Sequence, residues 1–520
     1  MSAAVIDAGR TALGIELGST RIKACLIDAD THAVLATGTH EWENRFEGRL
    51  WTYTIEDIWT GVQAAYAGLA REVSDRFGVR LTTIGAIGIS AMMHGYFAFD
   101  GEGEPLAPFR TWRNTNTADA AAELTELLGV NIPLRWSVAH LRQAQRDAEP
   151  HVAHVRQLNT LAGYVHEKLT GQRVLGIGDA SGMFPVDSAT RDYDQRLLDR
   201  YDALAGGELR ALLPEVRTAG EAAGSLTAEG AALLDPSGAL RPGIPFCPPE
   251  GDAGTGMVAT GAVAPRTGNV SAGTSIFAMV VLERPLAGVH HELDLVTTPA
   301  GDAVAMVHCN NGASELSAWV GMFSRFAAAS DLPLDEDRIY ETLFREALDA
   351  EADAGGLLAY NFLSGEPIVG LAEGRPLFVR TPESRFTLAN AMRAQLHGVF
   401  ATLRLGMEVL WGEGVALDRL YAHGGVFRTA GVAQRLLAGA LDVPVAVGET
   451  ASEGGAWGMA VLAAYLGAEQ SLAAYLDERV FADTVLRVAE PDPGDVAGYA
   501  NYLDRYRAGL PAEAAAVAAL

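Results

Sequence analysis

The sequence predicts an α/β protein made of two like domains with a cleft between them, and three observations carry that prediction. The chain has 520 residues, more than one hydrophobic core organises, which favours two or more domains. Strand-like apolar runs alternate with amphipathic helical ones, the grammar of α/β folds. An apolar strand, a short turn of Gly, Ser and Thr and a second apolar strand occur twice, at residues 13–28 and 268–282, about half a chain apart, as a duplicated domain would give.

The elements follow in chain order. In "LGIELGSTRIKACLID" Leu13, Ile15 and Leu17 alternate, Gly18-Ser19-Thr20 interrupts, and Ile22, Ala24 and Leu26 resume, so a hairpin is expected. "YTIEDIWTGVQAAYAGLAREV" sets Ile55, Ile58, Val62, Tyr66 and Leu69 at helical spacing behind a capping box of Thr54 and Asp57. "IGAIGIS" (84–90) reads as a buried strand delivering "AMMHG" at its end. "RPGIPFCPPEGDAGTG" (241–256) has the Pro and Gly density of a domain junction. The second hairpin turns at Gly273-Thr274-Ser275. A long helix opened by Thr387 presents Leu388, Met392, Leu396, Val399, Leu403 and Leu410 on one side, followed by the strand "LYAHGG", a helix around "AGVAQRLLAGAL" and the strand "VPVAV". The Ala-rich end from Pro511 reads as a helix end or a tail.

Composition removes several function classes. A net charge of -26 argues against a nucleic-acid partner and against an anionic membrane surface, both of which demand a basic face. No run approaches the ~18 apolar residues that span a bilayer, and "MSAAVIDAGR" lacks the features of a signal peptide, so a cytoplasmic protein is expected. Cys25, Cys247 and Cys309 are too scattered for disulfide or metal-ligand spacing and read as reduced core residues. Lys23 and Lys168 are the only lysines and neither follows a glycine, which excludes a Walker phosphate loop. His-Glu-x-x-His, Gly-x-Ser-x-Gly and Gly-x-Gly-x-x-Gly are absent as well.

A tight Gly, Ser and Thr turn gathers backbone N–H groups and hydroxyls into one concavity, which suits phosphate oxygens without lysine. Ser19, Thr20, Thr274 and Ser275 are the candidates. Either turn alone is ordinary turn chemistry, whereas two across a domain junction point to a polyphosphate. Glu16 beside such a ligand requires Mg²⁺ between the charges; otherwise it is a solvated edge-strand carboxylate. Asp252 in "PEGDAGTG" has small neighbours that let two ligands approach it, or is a turn former. His94 in "MMHGY" is a ligand contact or a satisfied structural histidine. Trp112, Arg113 and Asn114 in "TWRNTNT" form the polar, aromatic kind of cluster that lines sugar sites, and Gly424 and Gly425 end a strand where adenine or ribose could lie on the backbone.

The order of these features resembles the FGGY carbohydrate kinases, over roughly residues 13–466. "GIELGSTRIKACLID" looks like the family's first phosphate motif and "SAMMHGYFAFD" like the Met-His-Gly segment of xylulose kinases. The run "LLPEVRTAGEAAGSLT…PGIPFCPPEGDAGTGMVATGAV" looks like the approach to the catalytic aspartate. "GNVSAGTSIF" resembles the second phosphate motif, "LLAYNFLSGE" the Leu-Ser-Gly-Glu stretch, and "LYAHGGVFRTAGVAQRLLAGALDVPV" the adenosine motif.

The resemblance implies two ribonuclease-H-like domains of the actin and hexokinase type flanking a cleft. Residues 1–260 would form the sugar-binding domain, 261–480 the nucleotide-binding domain and 481–520 a helical extension. It implies Asp252 as catalytic base, Met93, His94, Gly95, Trp112 and Asn114 with Asp252 as sugar contacts, and Glu16 with Asp252 as Mg²⁺ ligands. Gly18, Ser19, Thr20, Gly273, Thr274, Ser275, Gly312, Gly424 and Gly425 would bind ATP. Two departures stand out: Glu16 replaces the usual Asp, and "WRNTN" replaces Trp-Asn-Asp-x-Arg. The expected reaction is ATP-dependent phosphorylation of a small ketose, a pentulose such as xylulose first, or of a polyol, with a homodimer as the default assembly. An actin-like or chaperone-like ATPase switch and a sugar-binding pseudokinase remain as alternatives.

Overall fold

Thr11–Leu17 (β1) and Arg21–Asp28 (β2) pair antiparallel with Leu13 opposite Leu26 and Ile15 opposite Ala24, the register that alternating apolar residues demand. This computed structural model describes residues 2–448 and 454–520. Val34–Glu41 (β3) continues antiparallel beyond β2, while Ala86–Ala91 (β4) runs parallel to β1 and Glu250–Gly251 (β5) parallel to β4. The resulting order, β5-β4-β1-β2-β3, is that of a ribonuclease-H-like sheet. All six residues of β4 are buried, as expected of a parallel strand covered on both faces. The helix Ile55–Phe77 packs on this sheet with Ile58, Val62, Tyr66, Leu69 and Val73 buried, and its capping box forms as the sequence implies: Thr54 Oγ1 accepts from Asp57 N, and Asp57 Oδ2 from Thr54 N.

The Pro-rich stretch before Asp252 does not loop freely as a junction would. Ile87 N donates to Pro245 O at 3.0 Å and Cys247 N to Ile87 O at 3.1 Å, so residues 245–247 run alongside β4, an edge position where prolines without N–H groups are tolerated. Asp252 then opens a helix, Asp252–Thr260, rather than sitting in a Gly-rich loop.

The second sheet is built the same way. Thr267–Ala272 (β6) and Ile276–Val281 (β7) pair antiparallel, Val270 opposite Ala278. Leu293–Thr297 (β8), Ala303–Cys309 (β9), Arg419–His423 (β10), Val445–Val447 (β11) and Arg487–Ala489 (β12) complete it in the order β8-β9-β7-β6-β10-β11-β12. β10 is parallel to β6 and β11 parallel to β10, so the inner five strands repeat the order of the first sheet. Thr387 Oγ1 caps the helix Leu388–Gly412 by accepting from Asn390 N at 3.1 Å. The Ala-rich end belongs to a helix, Pro493–Ala519, tied down by buried Asp495, which accepts from Arg393 and, at 2.7 Å, from Arg435 Nε.

The described residues fall into two compact units, 2–263 with 295–304 and 454–483, and 264–294 with 305–448 and 484–520. Among them no helix is long and apolar enough to cross a membrane.

Candidate active site

In the first unit, the turn after β1 is closed by Gly18 N donating to Arg21 O at 3.0 Å. Each of its carbonyls has a protein donor. Gly18 O accepts from Trp42 Nε1 at 2.7 Å, Ser19 O from Tyr53 OH at 2.5 Å, and Thr20 O from Trp42 N at 3.2 Å. The rings of Trp42 and Tyr53 stack with centroids 4.0 Å apart. What remains without a protein partner, among the described residues, is the N–H of Ser19, the N–H of Thr20 and the Thr20 hydroxyl. Committed carbonyls and uncommitted amides make a concavity of anion-binding character.

Glu16 lies on β1, the middle strand of the sheet, opposite Lys23 and beside Ser90. The edge-strand alternative is therefore wrong: strand order, which local pattern does not reveal, places β1 between two neighbours. Burial pushes the Glu16 carboxyl up to about 7, Lys23 opposes the rise, the Asp252 carboxylate adds to it, and Ala456 N–H holds it back. A Cβ on Gly455 would stand 2.2 Å from Glu16 Oε1, so the glycine leaves room for this longer acid.

Asp252 Oδ1 accepts from Met93 N at 3.1 Å. Burial raises its pKa, and the N–H groups of Met93 and Ala253 moderate the rise. Met93-His94-Gly95, leaving β4, is thus attached to Asp252 directly. His94 and Gly95 both have positive φ, 73° and 101°; for a histidine that conformation is strained and persists only where the surroundings enforce it. The enforcement is visible in Gly95 O accepting from Ser137 Oγ at 2.6 Å, in His94 Nδ1 lying 3.4 Å from Gly182 O, and in the His94 ring stacked on Trp136.

The "WRNTN" cluster has other partners. Trp112 Nε1 donates to Ser19 Oγ at 3.1 Å. Asn114, 4% exposed, uses its side-chain amide on Trp51 N, Trp51 O and Thr111 O. Arg113 lies over the Trp51 ring at 4.5 Å.

In the second unit the turn after β6 repeats the pattern with backbone donors. Gly273 N donates to Ser275 O at 2.9 Å, Gly312 N to Thr274 O at 2.8 Å and Ala313 N to Gly273 O at 2.8 Å. The N–H groups and hydroxyls of Thr274 and Ser275 have no protein partner among the described residues. A Cβ on Gly312 would stand 2.5 Å from Gly273 O and 2.7 Å from Ser275 O; only glycine permits this approach. Gly424, with φ 105°, passes as closely over Ala272 O. Gly273, Thr274 and Gly425 line a cavity of about 730 Å³ together with Tyr340, Phe344 and Arg428, a size ordinary for a small-molecule site. Gly312 and Gly424 hold the turn from behind, whereas Gly273 and Gly425 face open space.

Several residues escaped the sequence reading. Tyr340 and Phe344 reach the cavity from the helix Glu336–Glu346, whose composition looks like any solvated helix. Asp179 and Glu250, each 1% exposed, lie beside Asp252: Glu250 Oε2 accepts from Asp179 N at 3.0 Å and Asp179 Oδ2 from Thr160 Oγ1 at 2.6 Å. Burial pushes them up to about 7 and about 8. Small neighbours in "GDASG" and "PPEGD" are the only local hint. Glu366, the acid of "LSGE", is fully buried and accepts from Asn311 N and Nδ2 at 3.2 and 3.1 Å, while Asn361 Nδ2 donates to Gly312 O at 2.8 Å. That stretch braces the residues behind the second turn.

Two turns that leave their N–H groups unused, on duplicated ribonuclease-H-like sheets and one of them beside a carboxylate cluster, define a protein of the actin and hexokinase fold class. Residues 11–259 match the profile described as "FGGY family of carbohydrate kinases, N-terminal domain" and residues 268–467 its C-terminal counterpart; the chain belongs to this family of ATP-dependent kinases. It is 24% identical over 510 residues to a protein named xylulose kinase from Haemophilus influenzae, covering 95% of this chain and 98% of the relative. The fold is shared with the crystal structure of a xylulose kinase from Rhodospirillum rubrum, TM-score 0.79 and 22% identity over 96% of this chain and 99% of the other. It is shared equally with a gluconate kinase from Lactobacillus acidophilus, TM-score 0.79 and 18% identity over 96% and 98%.

Proposed function

We propose that this kinase transfers the γ-phosphoryl group of ATP to a primary hydroxyl of a small ketose, a pentulose such as xylulose first, with Asp252 as general base. The observation that supports this reading is the bond from Met93 N to Asp252 Oδ1, which joins the segment proposed to meet the sugar to the proposed base. The carboxylate orients the sugar hydroxyl along the line of attack and accepts its proton as the new phosphorus–oxygen bond forms. Late in that step even a carboxylate is basic enough, and burial of Asp252 raises its basicity further. The name of the Haemophilus influenzae relative, which covers 95% of this chain, favours a pentulose. The sugar hydroxyls would be met by Met93, His94 and Gly95, and the phosphates by the amides and hydroxyls of residues 18–20 and 273–275.

Glu16 and Asp252 suit Mg²⁺: their charges oppose one another, and this ion takes one or two carboxylates and fills its shell with water and phosphate oxygens. When bound, the ion neutralises phosphate charge.

The experiment is incubation with Mg-ATP and a panel of ketoses, polyols and aldonates, following ADP release. Asp252→Asn is expected to lower sugar-dependent release by about 10²–10⁴-fold while ADP affinity, read by calorimetry, stays within twofold. Wild-type turnover by the variant removes Asp252 from the base position, and turnover of aldonates alone removes the ketose.

A further inference from the structure

We propose that Trp112 is a positioning residue for the first phosphate turn: its indole N–H fixes the Ser19 hydroxyl so that the hydroxyl proton is offered to a phosphate oxygen of ATP. The inference rests on the kinase reading above and moves Trp112 from the sugar side to the nucleotide side of the reaction. An indole N–H can only donate, and a serine hydroxyl has one proton. With Trp112 Nε1 donating to Ser19 Oγ at 3.1 Å, the serine accepts there and its proton points elsewhere. No protein acceptor takes that proton among the described residues, and Ser19 is part-exposed.

The two turns differ in what holds them. The carbonyls of Gly273 and Thr274 are fixed by backbone donors of Ala313 and Gly312. The first turn has a side-chain clamp, with Trp42 on Gly18 O, Tyr53 on Ser19 O and Trp112 on Ser19 Oγ. Trp42 and Tyr53 are buried and stacked. Trp112 is anchored independently of the turn: Thr111 N donates to Trp51 O at 3.1 Å, and Asn114 grips both polar groups of the Trp51 backbone. With its backbone neighbours held in this way and its ring packed, partly buried, against the core of this unit, the indole can serve as a post that selects the serine rotamer, the kind of support a preorganised phosphate site needs.

Trp112→Phe keeps a ring and removes only the N–H. It is expected to raise the KM for ATP by about tenfold, the loss of one well-placed hydrogen bond, with the sugar KM within twofold of wild type. Ser19→Ala is expected to do the same, and the double variant to be no worse than the more severe single one. A raised sugar KM with ATP unaffected, or effects that multiply in the double variant, overturns the proposal. Should Trp112→Phe fail to fold, Ser19→Ala, which removes the hydroxyl that Trp112 Nε1 meets, is read alone by the same split in KM. Calorimetric binding of a non-hydrolysable ATP analogue repeats the comparison without any sugar. Absent turnover in the wild type thus refutes the kinase reading alone, while undiminished analogue binding in the variants refutes the clamp alone.

Discussion

Gly312→Ala tests whether the second turn works by position. The new Cβ would lie 2.5 Å from Gly273 O and 2.7 Å from both the carbonyl carbon and oxygen of Ser275, where ordinary contact begins near 3.4 Å. The obstructing atoms are backbone, so no side chain can swing aside, and the separation must grow by roughly 0.9 Å, the gap between those distances. Gly312 N and Ala313 N are bonded to the carbonyls of Thr274 and Gly273, so the displacement moves the amides that would meet phosphate oxygens. A misplacement of about 1 Å at a reacting group costs about 10²-fold in rate, and overpacking of this kind destabilises by about 1–3 kcal/mol. The assay is steady-state, sugar-dependent ADP release with ATP varied, alongside thermal unfolding to confirm a folded variant. The expected result is a fall of about 10²-fold in kcat/KM for ATP with the sugar KM nearly unchanged. Gly412→Ala, at the end of the helix Leu388–Gly412 with nothing near its Cβ, is the neutral control. Activity of Gly312→Ala within twofold of wild type would refute the steric reasoning.

Three further expectations concern pH and the C-terminal helix. Asp179 and Glu250, pushed up to about 7 and about 8 from the ordinary 3.8 and 4.5, keep protons in the folded state that the unfolded chain releases. Their contribution to stability is complete below about pH 4 and is lost as pH rises through about 8; urea unfolding midpoints should fall across that window, and less steeply in Asp179→Asn. An identical slope in that variant would show Asp179 does not hold its proton. Activity runs the opposite way, because Asp252 must be ionised to accept a proton: with its pKa raised, kcat should decline on acidification before an ordinary aspartate would titrate. Asp495→Ala strands Arg393, 1% exposed, without its carboxylate, and should lower stability by about 3–5 kcal/mol. An unchanged thermal midpoint would show the ion cluster to be dispensable.

What could be read without coordinates was local. The hairpin of residues 13–28, the Thr54 capping box and the helix from Thr387 follow from side-chain period and cap chemistry within a few residues, and all three stand in the structure. Strand order is a non-local property, which is why Glu16 could be mistaken for an edge residue. The prolines before Asp252 carry two meanings, linker or sheet edge, and only the partner strand decides between them. Asn114 and Trp112 sit in a polar, aromatic cluster that composition assigns to a ligand, yet their hydrogen bonds go to Trp51, Thr111 and Ser19. Tyr340 and Phe344 were hidden because a helix that walls a cavity has the same amphipathic pattern as one that faces water.

On the proposed reading, a chain with two lysines and a net charge of -26 would meet polyphosphate through the oriented donors of its two turns, with arginines such as Arg428 on the cavity wall beside the second. Both turns reach the same solution: every carbonyl is given a protein donor, by the Trp42 and Tyr53 side chains and the Trp42 backbone N–H in one and by the backbone N–H groups of residues 273, 312 and 313 in the other. Only donors are then left to meet a ligand. Such turns would favour an anion by orientation, so binding would depend on backbone placement to within a fraction of an ångström, and the proposed Mg²⁺ would offset the neighbouring carboxylates. Glu16, one methylene longer than the aspartate usual at this position, fits the same logic. Its carboxylate fills the volume that a side chain at 455 would need, so glycine there leaves room for the acid group, which feels the Asp252 carboxylate.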